Sequence, residues 1–255
     1  MEKSRDFYAL SPRVAFWESA AVLSMLSRVI YEAFSSMFSE EERSEEVAFF
    51  LPGILAPGAI YRSVCAQLEL RMQGRVRFYT PRIGRGPLDI NCRSLIEARD
   101  RVGEACLKHK PRLVVGHSWG GVLALMLLPD HPEVSVCTVG APHNGGTPFI
   151  PLQRLARWIL GVDPNNLSPE LEALRRSLEL FGNRITTISG EHDFVAPPDR
   201  CYVPGANNIV LKGGLADLHT GIHMSPRGQA HTLQVARRAY APQEKSEPQL
   251  ISLHA

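Results

Sequence analysis

Nine consecutive residues, Leu113 to Gly121 (LVVGHSWGG), leave a chain of this kind few ways to fold. A short apolar run with two valines reaches Gly116, a serine follows two positions later, and Gly120 and Gly121 open the apolar segment Val122 to Leu128. β-Branched residues suit a buried strand, and the segment after the glycines has helical length, so the stretch reads as strand, very tight turn, helix. The pattern G-x-S-x-G, met by Gly116, His117, Ser118, Trp119 and Gly120, is that of a nucleophile elbow. In such a turn the serine sits in a strained backbone conformation with its hydroxyl pushed out of the sheet, while small neighbours let strand and helix approach. The helix N-terminus behind it favours developing negative charge.

The rest of the chain repeats the alternation. Val47 to Leu51 reads as a strand ending in Pro52-Gly53-Ile54-Leu55, followed by a helix from Ala59 to Leu70, a strand from Arg75 to Thr80 and a long helix from Asp89 to Lys110. After the elbow come strands at Val134 to Val139, Ile185 to Ser189 and Asn208 to Leu211, and a last helix within Met224 to Tyr240. Six strands separated by helices predict an α/β fold with a mostly parallel sheet and helices on both faces. The length of 255 residues suits one such domain, placed at 47–240. Residues 1–46 form an N-terminal helical extension with the acidic linker Glu40 to Glu46, and residues 241–255, with two prolines and little periodicity, read as a disordered tail.

In the extension, Val22, Leu26, Val29, Ile30, Ala33 and Met37 fall at helical spacing, with Glu18, Arg28 and Glu32 on other faces. Those charges interrupt the uncharged run of about 18 residues that a membrane span needs, and Glu18 stands where a signal peptide would be apolar. The amphipathic helix either packs on its own domain or touches a membrane surface or a partner. A net charge of +2 with no dense Lys/Arg run argues against nucleic acid as a partner. The five cysteines are scattered without C-x-x-C spacing, so neither zinc nor a disulfide framework is indicated. A reducing, cytoplasmic location is expected, with peripheral membrane contact through the helix as its one extension, and no feature fixes an oligomeric state.

A serine hydroxyl needs a base, and in this arrangement the chain order is serine, acid, histidine. Of the eight histidines other than His143, His109, His131 and His254 are expected at the surface, His117 in a packing role within the elbow, and His192 and His231 before the acid or in the last helix. His219 and His223 remain, both on the loop after the final strand, where a parallel sheet presents its binding crevice. Among Glu191, Asp193 and Asp199, the position of Asp193 three residues beyond Gly190, before Phe194, Val195 and two prolines, favours it as the acid. An oxyanion hole needs two converging backbone N–H groups. Trp119 supplies one from the elbow, and Ile54, just past Gly53, is the choice for the other.

GHSWGG, LPGILA, GPLDIN, VGAPHNGGTP, GEHDFVAPP and LHTGIHMSP together resemble the α/β-hydrolase fold serine esterases, in particular small bacterial triacylglycerol lipases. The resemblance runs from about Val47 to Tyr240. It implies Ser118 as nucleophile, Asp193 as acid and His219 as general base, because the family's H-x-G-hydrophobic run is matched by His219, Thr220, Gly221 and Ile222. The family's His-Gly at the oxyanion loop is Pro52-Gly53 here, and its Gly before the base is Leu218. The implied chemistry is carboxylic ester hydrolysis of an apolar acyl ester through an acyl-enzyme, with no metal or organic cofactor. Acyl transfer or thioester cleavage on the same triad is the alternative, and a ligand-binding protein that keeps the fold without catalysis is the rival from another class. Residues 148–182 carry Leu152, Leu155, Trp158 and Ile159 on one helix face, and a second helix begins at Ser168-Pro169-Glu170. The segment is either a lid over the strand ends or a helical layer packed permanently on the domain.

Overall fold

The computed structural model describes residues 46–53, 61–81, 95–145 and 169–242. The expected N-terminal helix, Ile54, the first part of the lid segment and the tail lie outside the described residues.

The elements are β1 (Glu46–Leu51), α1 (Arg62–Arg71), β2 (Val76–Tyr79), α2 (Leu95–His109), β3 (Leu113–His117), α3 (Trp119–Met126), β4 (Ser135–Val139), α4 (Pro169–Ser177), β5 (Ile185–Gly190), the short α5 (Pro198–Cys201), β6 (Asn207–Leu211) and α6 (Pro226–Ala239). All six strands pair in parallel in the order β2-β1-β3-β4-β5-β6. The strands are apolar on both sides because helices cover both faces. Phe49, Leu51, Val114 and Val136 point into one core layer with α2 and α3. Ala48, Phe50, Val115 and Cys137 point into the other with α1 and α6. Period-two alternation thus separates two apolar layers rather than a core from solvent.

The described end of the lid segment belongs to the first layer. Leu174 of α4 and Leu178, which opens a 3-10 helix (Leu178–Arg184), are both buried there. Through these two residues the described end of the segment packs on the domain. His131, expected at the surface, is buried, its Nδ1 3.5 Å from Glu133 Oε1. Its position after α3 looks like a helix end in sequence, yet it lies under α2, where a Cβ added at Gly103 would meet its Nε2 at 3.6 Å. Cys65, Cys106, Cys137 and Cys201 are buried, and burial, the largest cause in each case, pushes the thiols of Cys106 and Cys137 up to about 12.

From β1 the chain adds β2 on one side and then crosses to place β3 on the other, so the strand order switches direction between β1 and β3. Loops leaving the carboxyl ends of two such strands run apart and leave a crevice between them. Gly53 follows β1 at that crevice and Ser118 follows β3.

Candidate active site

Ser118 has φ 54° and ψ −124°, a left-handed backbone that a serine rarely adopts. Strain of this kind costs about 1–3 kcal/mol and needs a surrounding that over-determines it. The turn is held on three sides. The Ser118 amide donates to the Val139 carbonyl at 2.8 Å, and the Ser118 carbonyl accepts from Gly121 N at 2.9 Å and Val122 N at 3.3 Å. The glycines are required by close approach: a Cβ on Gly116 would lie 2.4 Å from the Gly120 oxygen, and one on Gly120 would lie 2.2 Å from the Leu51 oxygen. Strand, helix and neighbouring strand therefore touch through backbone alone, which sets the serine at the head of α3.

Asp193 stands on the turn after β5, its amide donating to the Gly190 carbonyl at 3.2 Å. Its side chain is fully buried and each oxygen has a separate task. Oδ1 accepts from the amides of Val195 and Ala196, both at 2.8 Å, which shapes the loop. Oδ2 meets His219 Nδ1 at 2.9 Å. An ionised carboxylate can only accept, so the proton lies on Nδ1 and the lone pair of the ring on Nε2. His219 comes from the loop after β6, rigidified by a 3-10 turn (Ile222–Met224) and by Ser225, whose Oγ accepts from Gly228 N at 2.9 Å and caps α6.

The three sequence-predicted residues gather at the end of β4. A Cβ on Gly140 would meet His219 Nδ1 at 3.1 Å and Asp193 Oδ2 at 3.3 Å, while the preceding residue, Val139, holds the Ser118 amide. Trp119 provides the first amide of α3, and its indole is packed in the core layer of α2 and α3. Ile54, the other expected oxyanion donor, lies outside the described residues, but Gly53 before it comes close to the elbow: a Cβ there would meet Ser118 Cβ at 3.0 Å.

His223, the alternative base, makes no hydrogen bond to the acid. Neither of its ring nitrogens has a partner among the described residues, and burial pushes it down to about 3. It packs against Tyr61, with ring centroids 5.1 Å apart, and against His117 at 4.4 Å. Sequence reasoning assigned no role to Tyr61 or His143. His143 is buried between the carbonyls of Ala141 (3.1 Å) and Tyr202 (3.0 Å), and burial lowers it to about 4 despite both contacts. The next residue, Asn144, takes the Tyr202 carbonyl at 2.7 Å and Arg175 Nε at 3.2 Å, stitching the loop after β4 to α4 and α5. The adjacent P-H-N could have signalled this, since buried polar side chains after a strand usually serve loop carbonyls.

Among the described residues, Glu191, His192 and Asp217 bring three ligand-type atoms within 4.8 Å of one another. Neighbours already satisfy them: Lys212 Nζ lies 2.7 Å from Glu191 and His192 Nδ1 lies 2.7 Å from Asp217. They are read as ion pairs.

A family model described as the alpha/beta hydrolase family matches residues 48–241. No curated protein matches the sequence. Among solved structures, a monoacylglycerol lipase of Paleococcus ferrophilus is similar at 15% identity over 75% of this chain and 92% of that one, with a TM-score of 0.52. A structure from work on the metagenome-derived lipolytic enzymes LipS and LipT is similar at 14% identity over 76% and 94%, with a TM-score of 0.54. A Mycobacterium tuberculosis protein provisionally named a non-heme bromoperoxidase is similar at 14% identity over 78% and 95%, with a TM-score of 0.56. At these identities the likeness is one of fold.

Proposed function

Since the chain belongs to the alpha/beta hydrolase family, we propose that it is a serine hydrolase that cleaves carboxylic esters of apolar acyl groups through an acyl-enzyme. Ser118 attacks the ester carbonyl while His219 Nε2 takes its proton, and Asp193 holds the imidazole by accepting from Nδ1. The amides of Trp119 and Ile54 receive the oxyanion, His219 returns its proton to the leaving alcohol, and water then releases the acyl group by the same route in reverse. Neither the proton transfers nor the oxyanion contacts call for a metal.

The observation that carries this reading is the bond between Asp193 Oδ2 and His219 Nδ1. It supplies a fixed tautomer at the same strand end that grips the strained serine, and a pocket that only binds ligand needs neither. Lipolytic enzymes among the structural neighbours favour an acyl ester over other hydrolysable groups.

Turnover of p-nitrophenyl butyrate tests it. Ser118→Ala should lower kcat by about 10⁴-fold or more with an unchanged circular dichroism spectrum, and Asp193→Asn by about 10⁴-fold through the wrong imidazole tautomer. A parental rate in Ser118→Ala would remove the serine from the mechanism. A folded parent that neither hydrolyses the ester nor reacts with a fluorophosphonate would favour the binding-protein reading.

A further inference from the structure

We propose that Tyr61 and His117 are positioning residues: a one-way hydrogen-bond chain runs from the Gly53 amide through the Tyr61 hydroxyl and the His117 imidazole to the His219 carbonyl. It ties the loop that leaves β1 to the loop that carries the base. The proposal rests on the catalytic reading for its kinetic consequences, though the chain itself is a property of the resting protein.

The direction follows from what each group can do. The carbonyl of His219 lies 3.1 Å from His117 Nε2 and can only accept, so Nε2 carries the proton. His117 is buried, and desolvation first, then the neighbouring His223 and His219, hold its pKa well below the ordinary value of 6.5, so the ring is neutral. Nδ1 is then a bare lone pair, and its contact with the Tyr61 hydroxyl at 2.7 Å must be donated by the hydroxyl. The tyrosine oxygen keeps a lone pair that faces the Gly53 N–H at 3.4 Å. Every donor meets an acceptor, and reversing any link would set two donors or two acceptors against each other.

Packing holds the chain in place. The Tyr61 ring is 5.7 Å from that of His117 and 5.1 Å from that of Phe50, and the His117 ring is 4.9 Å from that of His219. His223 fills the remaining side of His117 without offering it a hydrogen bond. His117 is joined by a peptide bond to Ser118, so one ring links the nucleophile's own backbone to the loops on either side of it. Catalytic groups have to be held within about 0.5 Å of their working geometry, and displacement by about 1 Å can cost 10²-fold in rate. Tyr61, which belongs to no recognisable motif, would then set the rate without touching substrate.

Three measurements test this. In the parent protein, ¹⁵N shifts of the His117 ring should show Nε2 protonated and Nδ1 bare at every pH between about 5 and 9, and Tyr61→Phe should move the Nδ1 resonance. On p-nitrophenyl butyrate, Tyr61→Phe should lower kcat by about tenfold or more while KM stays within about twofold. His117→Gln keeps a donor near the Nε2 position and removes the acceptor for Tyr61, so adding Tyr61→Phe to it should cost little more. His117→Asn keeps the acceptor and loses the donor, and there Tyr61→Phe should still cost rate. A proton on Nδ1 of His117 would overturn the proposal. So would a Tyr61→Phe kcat within twofold of the parent, or full additivity with His117→Gln. The ring tautomer is read without turnover, so it stands or falls separately from the part played by Ser118.

Discussion

His192 grips both oxygens of Asp217, through its amide at 2.8 Å and through Nδ1 at 2.7 Å, and Gly213 N adds a third contact at 3.2 Å. One partner adjoins Asp193 and the other lies two residues before His219, so this pair clasps the acid loop to the base loop from outside. Burial alone would raise the Asp217 carboxyl, but hydrogen bonds from the His192 side chain and the amides of His192 and Gly213 outweigh it and hold it below 3.8. The same bond to Asp217, followed by its charge, raises His192 above 6.5. A raised histidine stabilises the fold fully below its unfolded value, and the contribution fades as pH rises through the folded one. A depressed carboxyl contributes above its unfolded value and loses this as pH falls. The clasp is therefore strongest between about pH 4 and 6.5, and the exposed imidazole keeps its contribution small. His192→Ala should lower Tm more at about pH 5.5 than at about pH 9, measured by thermal melts in matched buffers. Equal losses at both values would mean that the charge on His192 contributes nothing.

At the scale of elements, the elbow depends on three backbones meeting with no side chain between them. A methyl added at Gly120 would press on the Leu51 and Pro52 oxygens at 2.2 and 2.5 Å, and neither is the mobile end of a side chain. β1 and α3 would have to part. Gly120→Ala should cost about 1–3 kcal/mol or more. At about 2–4 °C per kcal/mol for a domain of this size, Tm should fall by roughly 2–12 °C, with lower activity because the serine moves with the helix. An alanine variant melting with the parent would show that the contact relaxes freely. The same closeness explains why GHSWGG is so legible, since backbone contact leaves glycine as the one residue type that fits. The boundary of α6 was less legible: the sequence placed the helix only within Met224 to Tyr240, and the Ser225 cap sets its start at Pro226.

Across the whole molecule, the end of α6 is fastened to the start of the sheet. The Tyr240 hydroxyl donates to the Val47 carbonyl at 2.6 Å and accepts from Arg112 N at 3.2 Å, with the Arg112 guanidinium 4.7 Å over its ring. Arg112 in turn meets Glu46 at 2.7 Å. Burial pushes the phenol up to about 12, so the hydroxyl stays neutral and able to donate throughout the ordinary pH range. Tyr240→Phe should cost about 1 kcal/mol and lower Tm by roughly 2–4 °C without changing kcat, read by calorimetry beside an ester assay. An unchanged Tm would show that the hydroxyl is as well served by water. The fold class was legible because alternating apolar strands and amphipathic helices admit few arrangements other than a covered parallel sheet. That Ser118 follows β3, that Asp193 follows β5 and that His219 follows β6 was legible because strand ends and chain order can be read from apolar periodicity. What the sequence left open was every contact made by residues of ordinary type. Tyr61, His117 and His223, and the pairing of His192 with Asp217, meet only once the segments at the ends of β1, β3, β5 and β6 reach one end of the sheet. Hydrogen bonds form over a few ångströms of space, and spacing along a chain carries no record of that distance.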